Sequence, residues 1–239
     1  MTNSQSTLKT PNADASGNNT NKRRRLVPPI PYERPKKKPL GKDEYQSLKC
    51  RMSPAVPWSA VYEVTIPYFS TGTVEEYIKI KRKLSRVIEG LNATTGPQKY
   101  VFARSVFHGT AAITFNTAAH GLTETNDNFA AVMNTVTRSI FPPRAAQTQK
   151  RYMRRFLRKP KDVGIREHVA RVTELNEYFE EYLSEAGDRM DPIPDDEILD
   201  NPDFGNPNSW QREMILHDYD PLANNITEFV SFCERLERV

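Results

Sequence analysis

Cysteine is nearly absent from these 239 residues, with Cys50 and Cys233 the two in the chain. Standing so far apart, they can build neither a disulfide framework nor a zinc site of the CxxC type, and a reducing compartment is the default expectation. Long apolar runs are missing too. No stretch approaches the roughly 18 to 20 consecutive apolar residues that a membrane-spanning helix needs, and the opening MTNSQSTLKT lacks the apolar core of a signal peptide. The expectation is a soluble, intracellular protein with no membrane span.

Catalytic signatures are absent as well. There is no GxSxG, no HExxH, no Walker A loop and no GxGxxG. The four histidines, His108, His120, His168 and His217, never recur at the i, i+3 or i, i+4 spacing of a helical metal site, and none lies near a cysteine. Asp195-Asp196 and Glu180-Glu181 are acid pairs, but neighbouring side chains on a helix diverge, so a solvated face or a charge favoured by the helix dipole accounts for them. Neither an enzyme, a cofactor, a metal nor a small-molecule substrate is expected.

What the chain does have is polarised charge. The net +4 divides into +8 over residues 1–53, +9 over 54–160 and −13 over 161–239. Such a gradient suits a polyanion partner for the first part, or like molecules meeting head to tail. Residues 1–53 hold thirteen apolar residues and six prolines, too little burial to offset the entropy of ordering, and read as a disordered basic arm. Within it, Lys22, Arg23, Arg24 and Arg25 form one cationic cluster and Lys36, Lys37 and Lys38 a second. Their spacing resembles a bipartite nuclear import signal; a solvated tail that binds any polyanion by counterion release is the plainer reading.

Helical patterning dominates the remainder. Val61–Ile66, between Pro57 and Pro67, reads at most as an isolated extended piece. Thr73-Val74-Glu75-Glu76 is a capping box that predicts a helix over about 74–91. Gly96-Pro97 opens a helix carrying Tyr100, Ala103, Phe107, Ala111 and Phe115, with Gly109 a weak point inside it. Phe129, Val132, Met133, Val136 and Ile140 repeat the 3-4 spacing until Pro142-Pro143, the candidate interdomain boundary. A cationic helix follows over 145–158, stopped by Pro160. Ile165, Val169, Val172, Leu175, Phe179 and Leu183 then form the clearest apolar stripe. A short helix is expected at Asp195–Asp200. Capping boxes at Asn208/Gln211 and Asn225/Glu228 open helices bearing Trp210, Met214 and Ile215, then Ile226, Phe229, Val230 and Cys233. Seven helical segments and no strand-turn-strand signal predict an all-α chain in two small bundles.

The run from Arg144 to Lys159 contains no acid. On a helix, Arg151, Arg154, Arg155 and Arg158 share one face while Tyr152, Met153, Phe156 and Leu157 turn inward. Such a ridge can bind phosphates, meet the acidic region of a neighbouring copy, or simply be solvated.

Trp58, TVEEYIKIKRKL, TGPQKYVFARSVFHGTAAITF, NFAAVMNTVTRSIFPP, QKRYMRRFLRKPKDVGIREHVARVTELNEYF and NSWQREMIL follow one another in an order that resembles the capsid region of the Gag polyprotein of LTR retrotransposons, over about 58–239. The order of segments carries the likeness more than any one helix. It implies a capsid N-terminal-domain-like bundle at 54–142 and a C-terminal-domain-like bundle at 143–239, a homo-oligomer that packages element RNA. The family's C-terminal domain has a buried Gln, Glu and Arg network. By resemblance Arg171 takes the Arg position with a structural role, Asp162 loosely the acid's and Lys159 or a neighbour the Gln position, so that the network is rewired or lost. Trp210 and Met214 fall on the helix that resembles the family's dimer helix, as an oligomer interface, although burial of such an aromatic in its own bundle is the commoner outcome. Such proteins commonly continue into a CCHC zinc knuckle, which residues 1–239 do not contain; the expectation is a truncated or degenerate copy, or a basic arm that takes over RNA contact.

Two functions follow as expectations. The first is a structural Gag or capsid-like protein that self-assembles and packages RNA, in cytoplasmic particles or nuclear through the basic signal. The alternative is a host nuclear adaptor or nucleic-acid-binding protein that uses a capsid-derived oligomerisation module. The nucleic-acid-binding candidates under either are the two arm clusters with Arg151, Arg154, Arg155 and Arg158.

Overall fold

The computed structural model describes residues 27–36, 41–51, 58, 60–184, 186–194, 197–198 and 208–238. Over these the chain is mainly helical. Its α-helices are α1 (Val74–Gly90), α2 (Gly96–Val106), α3 (Gly109–Ala119), α4 (Asn126–Ile140), α5 (Ala145–Arg155), α6 (Ile165–Glu177), α7 (Asn208–Leu216) and α8 (Ile226–Glu237). None of them is long and apolar enough to cross a membrane.

The departure from an all-α chain is a two-stranded antiparallel sheet, in which β1 (Tyr45–Arg51) pairs with β2 (Val61–Pro67), Cys50 opposite Tyr62 and Leu48 opposite Val64. Alternation explains it: Leu48, Cys50, Val64 and Ile66 turn inward, while Ser47, Lys49, Glu63 and Thr65 face water. The sheet lies on α1, close enough that a Cβ on Gly90 would stand 2.8 Å from the Cys50 Cβ. Val61–Ile66 is therefore a paired strand, not an isolated piece. Residues 45–51 are its partner, so the disordered arm expected over 1–53 does not extend to them.

Local signals set the helix ends. At α1 the Thr73 N–H donates to Glu76 Oε2 at 2.7 Å and the Glu76 N–H to Thr73 Oγ1 at 3.2 Å, the reciprocal box anticipated there. The same exchange opens α8 between Asn225 and Glu228. The long helix expected through Gly109 is broken: Phe107 and His108 are extended, and Gly109 takes φ 49°, a value that glycine adopts without a Cβ clash. The released backbone pairs with Phe69 instead, through Phe69 N–H to Val106 O (2.9 Å) and His108 N–H to Phe69 O (2.8 Å). The stripe after Pro160 also changes character, its α-helix ending at Glu177 and tightening to 3-10 geometry over Tyr178–Glu181. In the expected 195–200 helix, only Glu197 and Ile198 are described, and both are helical. α7 begins at Asn208, whose side chain, and with it the expected cap, lies outside the description.

Buried apolar side chains form two clusters. One gathers the sheet with α2, α3 and α4 around Tyr100, which meets Phe115 and Phe129 edge-on at 5.6 and 5.4 Å. The other gathers α5 to α8 around Leu175, Phe179 and Phe229. The Pro142-Pro143 boundary does not separate them cleanly. α1 serves both, sending Tyr77, Ile80, Leu84 and Val87 to the first cluster and Val74 and Ile78 to the second. Phe141 lies edge-on to Tyr182 at 4.8 Å and to Tyr77 at 6.2 Å, joining one cluster to the other. Ile30, expected in the arm, is fully buried in the second cluster.

Candidate nucleic-acid interface and the Arg171 cluster

Helical periodicity turns Ala145, Ala146, Gln149 and Met153 of α5 inward and leaves Arg151, Arg154 and Arg155 exposed on the other side. The four-arginine face is shorter than anticipated. α5 stops at Arg155, so Arg158 sits beyond the helix, where its guanidinium donates to the Leu157 carbonyl at 2.9 Å. Arg154 is engaged by Glu197, with one guanidinium N–H to Oε2 at 2.9 Å. Phe156, expected to turn inward, is half-exposed past the helix end. Arg151 and Arg155, four residues apart, are exposed on the helix itself, and the exposed Arg144 is its N-cap residue. Of the arm clusters, Lys36 is described and exposed, while Lys22, Arg23, Arg24, Arg25, Lys37 and Lys38 lie outside the described residues.

Arg171, on α6, is 1% exposed. Its guanidinium donates to both Glu75 carboxylate oxygens (2.9 and 2.8 Å), to Glu174 Oε2 (2.8 Å), and to the backbone carbonyls of Pro31 (2.9 Å) and Tyr32 (2.8 Å). All three guanidinium nitrogens are thereby used, which is what permits an Arg to be buried. Burial alone would push the Glu75 carboxyl up, but hydrogen bonds from Arg171 and Lys79 outweigh it and hold the group below the ordinary range. Glu174 follows the same pattern: burial opposes ionisation, yet Arg171, the Tyr178 hydroxyl and Arg34 bring it down to about 2.

The structural role anticipated for Arg171 thus has partners the resemblance did not supply. Asp162 is exposed and is not among them. Lys159 pairs with Glu237 at 3.1 Å and lies over the Trp210 ring at 5.3 Å. The acid is Glu75, on α1. Sequence hides it well, because an acid in the first turn of a helix is already explained by the helix dipole. A buried amide near this segment is Gln149, on α5, whose side chain accepts from the Ile30 N–H and donates to the Ile30 carbonyl, both at 3.0 Å.

Residues 30–34 are the other component that sequence reasoning missed. Beyond Ile30, the Tyr32 N–H donates to Tyr152 Oη (3.3 Å), the Tyr32 hydroxyl lies 3.2 Å from His168 Nδ1, and Arg34 donates to Glu174 (2.8 and 3.0 Å). A Pro-rich stretch with one Ile and one Tyr carries no periodicity, so its docking had no signature.

Trp210 and Met214 are buried, at 7% and 8% exposure, in the second cluster. That corrects their assignment as an oligomer interface. The apolar side chains α7 presents to water are the next two, Ile215 at 80% and Leu216 at 75% exposure. α6 and α8 are pinned together at their polar ends, where the Ile165 N–H donates to Glu237 Oε1 at 2.9 Å and Arg166 makes a two-pronged pair with Glu234 at 2.7 and 3.0 Å.

Compared with protein-family models, with curated proteins and with solved structures, the chain matches none of them.

Proposed function

We propose that this chain is a capsid-type structural protein of the retrotransposon Gag kind, which associates with copies of itself and holds RNA. The two apolar clusters support reading the chain as two small bundles, here shared through α1 and Phe141. The observation that carries the proposal is the outer face of α5, where Arg151 and Arg155 stand exposed on a helix with no acid of its own. Phosphates meet such a face without any preformed pocket, and their counterions are released on binding. Acids such as Glu167, Glu177 and Glu180, exposed on and just after α6, give a neighbouring copy's cations a complementary surface.

The test is sedimentation of the purified chain with and without single-stranded RNA over a range of salt. Assembly that grows with protein concentration, is promoted by RNA and recedes as salt rises supports the proposal. A strict monomer under all these conditions removes it.

A further inference from the structure

The buried groups of α5 and α6 converge on residues 30–34 in a manner that reads a peptide and not merely an apolar surface. Gln149 satisfies both backbone groups of Ile30, as a neighbouring strand would. Arg171 takes the carbonyls of Pro31 and Tyr32. Side chains then specify the sequence: Ile30 joins the apolar cluster to which Val74 and Ile78 belong, the Tyr32 ring lies 5.4 Å from that of His168, and Arg34 closes on Glu174. Main-chain hydrogen bonds for affinity and pockets at alternate side chains for specificity are the ingredients of linear-peptide recognition.

We propose that the groove formed by Gln149, Tyr152, His168, Arg171 and Glu174 is a receptor for the sequence Ile-Pro-Tyr-Glu-Arg, and that its second occupant, in trans, is the same segment of another copy of this chain. With the segment in place Gln149 is fully buried and Arg171 nearly so, and emptying the groove removes the hydrogen bonds to Ile30, Pro31 and Tyr32 and uncovers the apolar cluster that Ile30 joins. That penalty drives refilling by whichever copy of the segment is at hand. Exchange between copies forms the same contacts as docking within one chain, leaving the choice to effective concentration. The docked segment competes within its own chain at roughly millimolar effective concentration, so crowding of copies at that level tips the balance to exchange. The inference rests on the groove alone and is independent of any RNA-dependent shell.

Two full-length variants test it at high salt without RNA, where electrostatic assembly is suppressed. Ile30→Asp spoils the segment and leaves the groove intact; Gln149→Leu spoils the groove and leaves the segment intact. A fluorescent peptide of residues 27–36 is titrated into the Ile30→Asp chain, with the same peptide carrying Ile30→Asp as control. The expected result is saturable binding at least about tenfold tighter for the native peptide, a difference of roughly 1.4 kcal/mol. If the Ile30→Asp chain loses helical circular dichroism, the native peptide should restore it. Equal binding of the two peptides, or no restoration, overturns the receptor. The variants are then mixed one to one and sedimented. A species of twice the monomer mass that neither variant forms alone is the expected outcome. A mixture that behaves as the sum of its parts overturns the second copy as occupant.

Discussion

The guanidinium of Arg171 grips both carboxylate oxygens of Glu75, a residue 96 positions earlier in the chain, at 2.9 and 2.8 Å, with each side chain 1% exposed. α1 is thereby fixed to α6 by charge where the two apolar clusters share α1. The same relationship explains why Arg171 tolerates burial with neither Asp162 nor Lys159 among its partners.

Breaking that pair should be costly and replacing it should not. Arg171→Ala strands the Glu75 carboxylate and is expected to lower unfolding free energy by about 3–5 kcal/mol, whereas the double variant Glu75→Leu/Arg171→Met should recover a substantial part. Urea unfolding followed by circular dichroism measures both. A loss within about 0.5 kcal/mol for Arg171→Ala would contradict the buried pair.

Glu174 gives the chain a definite acid sensitivity. Its pKa falls from an ordinary 4.5 to about 2 on folding, so the ionised form is stabilised by the fold. A depressed pKa contributes stability that is fully present above the unfolded value and is lost as protons return between about pH 4.5 and about pH 2. Glu75 and Glu181, also held low, act in the same direction. The urea midpoint should therefore decline across this window, and Glu174→Gln should flatten that decline while lowering stability at neutral pH. An unchanged pH profile in the variant would show that Glu174 is not responsible.

α7 separates burial from exposure within a few residues, and the two faces should respond differently. Trp210→Ala empties a site in the second cluster and removes the ring beneath Lys159; a cost of about 3–5 kcal/mol is expected for a large aromatic in a core. Ile215→Ser and Leu216→Ser lie on the water-facing side and should shift stability by no more than about 0.5 kcal/mol. Thermal unfolding of the three variants distinguishes the faces, and equal losses would contradict the assignment.

Much of the helical frame was legible in the sequence because each end is set locally. Thr73 with Glu76 and Asn225 with Glu228 announce α1 and α8, and Pro142 closes α4. The sheet was not legible. β1 contributes little apolar surface in YQSLKCR, and nine residues separate the strands, so no short turn marks the hairpin. Trp210 illustrates a different limit: periodicity places it on an apolar face but does not say whether that face meets its own bundle or another copy. Residues 30–34 were opaque for a third reason. Their ordering comes from groups more than a hundred positions away, Gln149 and Arg171, and nothing local anticipates it.

The cations of α5 lead to a separable prediction about RNA. Arg151 and Arg155 face solvent, whereas Arg154 is committed to Glu197. If phosphates take the two exposed residues, the Arg151→Ala/Arg155→Ala variant should weaken binding of single-stranded RNA irrespective of its sequence. The slope of log affinity against log salt should fall by about 1.4, since each phosphate contact on a single strand contributes about 0.7. Arg154→Ala should change that slope by a smaller amount, because its guanidinium already has a carboxylate. Fluorescence anisotropy at several salt concentrations provides the slopes. An unaltered slope in the double variant would move RNA contact off α5, and with it the observation on which the functional proposal stands.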